Sequence, residues 1–101
     1  MLLMKASRIA STLKKHWPEL QQSHRIRAIY LFGSVARGEA RKNSDIDILV
    51  EFSSSDIGIF EFVRLQNHLT QLLGRPVDLV TRDALRDEMR EAIERDSVRV
   101  A

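Results

Sequence analysis

The chain has 101 residues, of which 30% are charged and 44% are apolar, and its formal net charge is +2. This length suffices for one domain with a real core, so we expect a single domain over residues 1–101 with little room for a separate substrate-binding domain. The small net charge gives no support for direct nucleic-acid binding, and the absence of cysteine excludes a disulfide framework and a thiolate zinc site.

The N-terminal stretch MLLMKASRIASTLKKHW has too short an apolar run for a signal peptide. No segment approaches the roughly 20 apolar residues that a helix needs to cross a bilayer. We therefore expect a cytoplasmic protein that does not bind membranes.

The first half of the chain is expected to contain a helix, a strand and a short helical turn. Residues 4–16 are predicted as a helix, and Pro18 favours a kink or a restart. Residues 26–32, IRAIYLF, combine β-branched and aromatic side chains and are typical of a strand. Gly33 ends that strand, and residues 34–37 are predicted to form one helical turn.

The strand predicted at residues 45–52 has two different faces. Side chains alternate along a strand, so one face is apolar and the other carries Asp45, Asp47, Leu49 and Glu51. The two aspartates therefore share a face, with their Cα atoms roughly 6.6–7 Å apart.

Two further helices and two short strands are expected in the rest of the chain. Residues 58–73 are predicted as a helix that ends at Gly74, and residues 77–80 as a strand. Thr81 is predicted to be the N-cap of the next helix, and residues 98–101 form an edge strand or a tail. The buried face of that last helix is expected to carry Leu85, Met89, Ala92 and Ile93. This order predicts an α/β (α+β) domain with a small sheet flanked by helices.

The paired acids suggest a divalent cation. Asp45 and Asp47 would repel each other unless a cation lay between them, and carboxylate oxygens favour Mg²⁺ or Mn²⁺. Asp78 joins them if its strand is a neighbour, and a third carboxylate is a candidate general base. This set is suited to a two-metal transfer of a nucleotidyl group.

A second group of residues is suited to binding phosphate. A glycine at a strand end, Gly33, allows a phosphate to approach the backbone, and Ser34 adds a hydroxyl donor. Arg37, Arg41 and Lys42 follow and are candidates for neutralising phosphate charge, although surface roles fit them too. For Arg37 the alternative is an ordinary ion pair with Glu39 or Glu51.

Several other residues admit structural interpretations. His16, His24 and His68 lack metal-ligand spacing and are expected at the surface or the boundary of the core, and Tyr30 in the core or at its rim. The helix at residues 58–73 and the residue before it are rich in apolar side chains. Either all of them pack into the core over a wide face of the helix, or part of the helix is left exposed to dock a partner. They are Ile57, Ile59, Phe60, Phe62, Val63, Leu65, Leu69, Leu72 and Leu73.

The stretch LFGSVARGEARKNSDIDILVEF resembles the motif of the DNA polymerase β-like nucleotidyltransferase superfamily, in which a Gly-Ser pair precedes two aspartates by ten residues. It is most similar to the minimal branch, the MNT proteins of bacteria and archaea, and LGRPVDLVTRDAL extends the likeness. The resemblance implies a palm-like core with a mixed sheet. It also implies that Asp45, Asp47 and Asp78 bind Mg²⁺, with two ions expected, and that Gly33 and Ser34 contact the phosphates of ATP.

The resemblance further implies a partner. Minimal members act as antitoxins toward a HEPN-domain ribonuclease toxin, to which they transfer AMP from ATP onto a tyrosine. Two other functions stay open from the sequence: an antitoxin that neutralises by binding alone, and a nucleotidyltransferase acting on a small molecule or an RNA end.

Overall fold

The computed structural model describes residues 6–39 and 45–101. Within them, two helices lead into a four-stranded sheet. The first helix, α1 (Ala6–Lys15), is followed by α2 (Trp17–Ser23), with Pro18 in its first turn. The predicted restart is therefore confirmed, while the start of the predicted helix at Met4 lies outside the described residues.

The sheet is mixed, and its strands lie in the order β3-β2-β1-β4. The bounds are β1 (Ile26–Phe32), β2 (Ile46–Phe52), β3 (Val77–Thr81) and β4 (Val98–Arg99). Strand β1 pairs antiparallel with β2 and with β4, whereas β2 pairs parallel with β3. A parallel neighbour requires a crossover connection, which the helix α4 (Ile59–Leu73) supplies. The predicted small mixed sheet flanked by helices is confirmed.

One face of the sheet carries the main core. Ile46, Ile48 and Val50 of β2 pack there, as the predicted alternation requires. Leu65 and Leu69 of α4 are fully buried on this face. The helix ends where expected, because Gly74 adopts a left-handed conformation with φ of 67° and closes the last turn.

The opposite face carries a smaller cluster made of Phe32, Leu49, Leu85 and Ile93. It is covered by α5 (Asp87–Asp96), which begins six residues later than Thr81. The predicted N-cap at Thr81 is wrong for this helix. Thr81 ends β3, and a 3₁₀ turn (Arg82–Ala84) follows it.

Leu85 explains the late start of α5. Its side chain is buried in the small cluster while its backbone is extended, with φ of −76° and ψ of 136°. The prediction of Met89 on the buried face is also wrong, since Met89 is 48% exposed. The side chain of Ala92 lies outside the described part of the chain, and Ile93 alone confirms the expected face.

His24 departs from the surface or boundary placement that the sequence predicts, whereas His68 lies at the boundary of the core as expected. His24 is buried, and its Nε2 lies 2.9 Å from Nδ1 of His68 on α4. His68 in turn lies 3.7 Å from the carboxylate of Glu19, which also contacts His16 at 3.3 Å. Burial lowers the pKa of His24, and the nearby His68 and Arg64 lower it further. No helix in the described part of the chain is long and apolar enough to cross a membrane.

The lowered pKa of His24 sets the sign of a pH dependence. The folded protein keeps His24 neutral at pH values where the unfolded chain already binds a proton, so stability falls as the pH drops through the unfolded value of 6.5. We expect the urea midpoint to fall between pH 7.5 and 5.5. In His24→Gln this fall should be shallower, and His16→Gln, a change at a less buried histidine, serves as the control. Equal slopes in all three proteins would contradict this assignment.

Candidate active site

Two of the three candidate acids lie side by side on adjacent strands. Asp47 of β2 is opposite Asp78 of β3 in the parallel register, and Phe32 flanks Asp47 on the other side. Asp45 directly precedes β2, so all three acids belong to the same end of the sheet. Asp47 is half-buried, whereas Asp45 and Asp78 are exposed. The sequence predicted that Asp78 would join the other two acids if its strand lay beside theirs, and β2 and β3 are neighbours.

Gly33 makes room for Asp47. It has a φ of +68°, and a Cβ at this position would lie 3.0 Å from Cγ of Asp47 and meet its Oδ2. Any larger residue would therefore push the carboxylate away as well as strain the backbone. Both reasons favour glycine at this position, next to the candidate site.

The acids form a crowded negative site. Burial raises the pKa of Asp47 to about 6, and repulsion from Asp78 and Asp45 adds to the effect. A hydrogen bond between the side chains of Asp47 and Asp78 also raises the pKa of Asp47, while the positive charge of Arg37 lowers it. An excess of negative charge at a half-buried position is what a bound cation would relieve.

Arg37 lies beside these acids but is already paired. Its Nε is 3.2 Å from Glu39, and its Nη1 is 3.6 Å from Asp96 at the end of α5. The sequence offered Glu39 or Glu51 as partners. Glu39 is confirmed, and Glu51 instead accepts hydrogen bonds from Arg27 and Arg82 at the other end of β2.

The sequence did not indicate Asp96, because nothing in a local pattern links position 37 to the end of a helix 59 residues later. Ser34 lies half-buried in the first turn of α3 (Gly33–Ala36), where its carbonyl accepts a hydrogen bond from the backbone N–H of Glu39. Arg41 and Lys42, the other candidate phosphate ligands, lie outside the described residues.

Whether a divalent cation fits this site depends on the side-chain atoms that are available to bind it. Within residues 6–39 and 45–101, no group of three or more His, Cys, Asp or Glu side chains is arranged as a complete metal site. However, Mg²⁺ is typically held by one or two carboxylates, with water and substrate phosphates as the other ligands. Asp47 and Asp78 are close enough to share a proton, so the pair fits such an ion.

A cavity of about 560 Å³ lies away from the acids, beside the opposite ends of β2 and β3. Glu51, Thr81 and the start of α4 contribute to its lining. The small cluster around Leu49 separates it from Asp47 along the sheet face.

The fold is that of a nucleotidyltransferase. Residues 13–100 match the nucleotidyltransferase domain family, and the chain belongs to that family. Its relatives are of the MntA type. It is 37% identical to the protein adenylyltransferase MntA of Thermococcus cleftensis over 100 residues, which covers 99% of this chain and 100% of the relative. It is 38% identical to a protein of Methanocaldococcus jannaschii provisionally named a protein adenylyltransferase, over 93% of this chain and 96% of the relative.

Solved structures agree with this assignment. A structure provisionally described as a minimal nucleotidyltransferase superposes with a TM-score of 0.78 at 32% identity, covering 94% of this chain and 95% of that one. A toxin–antitoxin structure with AMP-PNP gives a TM-score of 0.71 at 24% identity, covering 87% and 72%. The complex of a tri-AMPylated HEPN toxin with its MNT antitoxin from Shewanella oneidensis gives a TM-score of 0.67 at 21% identity, covering 92% of this chain and 71% of that one. At identities of 24% and 21%, the last two structures show only that they share the fold of this chain.

Gly33 and Gly38 form a matched pair for testing the close approach to Asp47. Both have positive φ, at 68° and 73°, but a Cβ on Gly38 would meet nothing within 4 Å. Gly38→Ala should cost about 1–2 kcal/mol of unfolding free energy from backbone strain alone. Gly33→Ala should cost about 1 kcal/mol more, because Asp47 must also move. Urea unfolding of the two variants measures the difference. Equal losses of unfolding free energy would show that the side chain of Asp47 can move away from the new Cβ at no cost.

The raised pKa of Asp47 also predicts a cost in stability. The contribution of this carboxyl to the free energy of unfolding is fully favourable below 3.8, its pKa in the unfolded chain. That contribution is lost as the pH rises through about 6, its pKa in the folded protein. In buffer with a chelator, Asp47→Asn should therefore stabilise the protein at pH 7.5 by about 1 kcal/mol, after allowance for solvent screening. The gain should vanish near pH 4. The exposed Asp83→Asn serves as the control, and a loss of stability in Asp47→Asn at pH 7.5 would contradict the expected repulsion.

Proposed function

We propose that this chain is the antitoxin of a HEPN/MNT toxin–antitoxin pair, and that it is a Mg²⁺-dependent protein adenylyltransferase. It transfers AMP from ATP to a tyrosine of a HEPN ribonuclease toxin and so inactivates the toxin. The observation that carries this proposal is the meeting of Asp47 and Asp78 across β2 and β3, with Asp45 beside them. ATP as the substrate is consistent with a reaction in the cytoplasm.

The three aspartates are assigned to the metal and to the proton. Asp45, Asp47 and Asp78 would hold the Mg²⁺, with two ions expected, and the metal would supply positive charge against the triphosphate. The tyrosine hydroxyl oxygen attacks the α-phosphorus, the bond to the β-phosphate breaks, and pyrophosphate leaves. Asp78, which is exposed on its strand, is the proposed acceptor of the proton of the attacking hydroxyl.

Gly33, Ser34 and Arg37 are assigned to the phosphates. Gly33 has no side chain, which lets the carboxylate of Asp47 lie against it, so phosphates bound to a metal at Asp47 would come close to this turn. Arg37 is 45% exposed and its ion pairs with Glu39 and Asp96 are at the surface, where such pairs contribute little. A triphosphate, with its higher charge, can therefore take the guanidinium from these carboxylates.

The partner and the acceptor are supported by the relatives. The chain matches MntA of T. cleftensis over its whole length, and that protein is named a protein adenylyltransferase. The fold is shared with an MNT antitoxin bound to a tri-AMPylated HEPN toxin and with a toxin–antitoxin structure that holds AMP-PNP. A protein acceptor held by complex formation also suits a domain of this size.

Neutralisation by binding alone is the second candidate. It is favoured by the exposed apolar side chains at the start of α4, of which Phe60 is 84% exposed. Such side chains are typical of a protein interface.

The intact mass of a cognate HEPN protein co-expressed with this chain separates the two functions. With the wild-type chain we expect a gain of one or more AMP units. With Asp47→Asn the gain should be lost, because the charge that holds the metal is removed. Asp87→Asn, an equal change of charge on an exposed residue at the start of α5, should transfer AMP normally. Transfer by Asp47→Asn at the wild-type rate would overturn the metal assignment.

An unmodified but silent HEPN protein in complex with the wild-type chain would favour neutralisation by binding.

A further inference from the structure

The cavity at the far end of the sheet has an apolar wall. Ile57, Ile59 and Phe62 line it at the start of α4, and Val50 and Phe52 line it from β2. Its volume of about 560 Å³ lies within the range of sites that bind a drug-sized molecule or several side chains.

An exposed apolar stripe on α4 continues from this cavity. Ile59 is 68% exposed, Phe60 is 84% exposed and Val63 is 41% exposed. They occupy positions i, i+1 and i+4, so they share one side of the helix. Leu65 and Leu69 on the other side of α4 already fill the core, so the stripe is not needed for folding. An exposed aromatic side chain beside a cavity is characteristic of an interface anchor.

The charged side chains that line the cavity are balanced, with Arg27 and Arg82 against Glu51 and Asp83. Arg27 lies 3.2 Å from one oxygen of Glu51, and Arg82 lies 3.0 Å from the other. Arg82 is also 2.9 Å from Glu94. Because both guanidinium groups are paired with carboxylates, the polar wall is close to neutral. The complementary occupant is therefore uncharged and apolar.

The cavity also lies apart from the acids. Glu51 lies four residues beyond Asp47 on β2, which is roughly 13 Å along the strand. Leu49 lies between them on the same face and belongs to the apolar cluster that includes Leu85.

We propose that the α4 stripe and the adjoining cavity dock an amphipathic helix of the acceptor protein, with one uncharged apolar side chain in the cavity. A helix is the matching partner, because the stripe is itself a helix face that can pack against a second helix. This inference rests on the proposed function. It means that the acceptor is held at one end of the sheet while its tyrosine reaches the acids at the other.

The test uses Phe60→Asp in the full chain, with binding to a cognate HEPN protein measured by titration. Phe60 is exposed in the first turn of α4, where an acid suits the helix dipole, so the fold should be retained. We expect affinity for the HEPN protein to fall roughly tenfold or more, with ATP affinity of the chain alone unchanged. Met89→Asp, an equal change at an exposed apolar residue of α5, should leave both unchanged.

A second variant tests the cavity by itself. Ser55 is exposed on its rim, so Ser55→Trp should fill the cavity without disturbing the core, and should weaken binding as Phe60→Asp does. Wild-type affinity in both variants would overturn the docking proposal. A wild-type chain that dimerises in solution, and becomes monomeric as Phe60→Asp, would assign the surface to a second copy instead.

The same experiment separates this proposal from the proposed function. The wild-type chain could bind the HEPN protein but transfer no AMP. If Phe60→Asp weakens that binding, the docking proposal is supported and the proposed adenylyl transfer is contradicted. If the wild-type chain binds no cognate HEPN protein, the partner assignment and the docking proposal fall together.

Discussion

The parallel pairing of β2 with β3 is the constraint on which the rest of the molecule depends. It sets Asp47 opposite Asp78, and it requires the crossover helix α4 to connect the two strands. The same pairing leaves the far ends of both strands beside the start of α4, where the apolar cavity forms. The candidate active site and the candidate docking surface thus arise from one topological feature, at opposite ends of the same strand pair.

The two faces of the sheet divide stability from chemistry. The face under α4 is filled by a continuous apolar core. The other face holds the acids at one end, and a cluster of Phe32, Leu49, Leu85 and Ile93 beside them. A half-buried carboxylate with a raised pKa costs stability at neutral pH, and the larger core is what offsets that cost. Such a concentration of unfavourable charge is common where a protein binds a cation.

Under the proposed function, this domain recognises its protein acceptor through its outer surface. The three acids and Gly33 lie on strands or directly beside a strand end, where the backbone positions them accurately. The exposed stripe of α4 is then available for binding. If the proposed function holds, catalysis and binding can contribute separately to neutralisation, because the acids and the cavity lie at opposite ends of β2 and β3.

The sequence by itself determined most of the strands, the restart at Pro18 and the end of α4 at Gly74, since alternation, proline and a left-handed glycine are local effects. It also indicated the acids, because their spacing is that of one strand face. Only the tertiary structure decided that β3 lies beside β2, that Arg37 meets Asp96 and that His24 is buried against His68. These depend on contacts between distant segments. The late start of α5 has the same cause, since burial of Leu85 on the sheet overrides the local preference for a helix after Thr81.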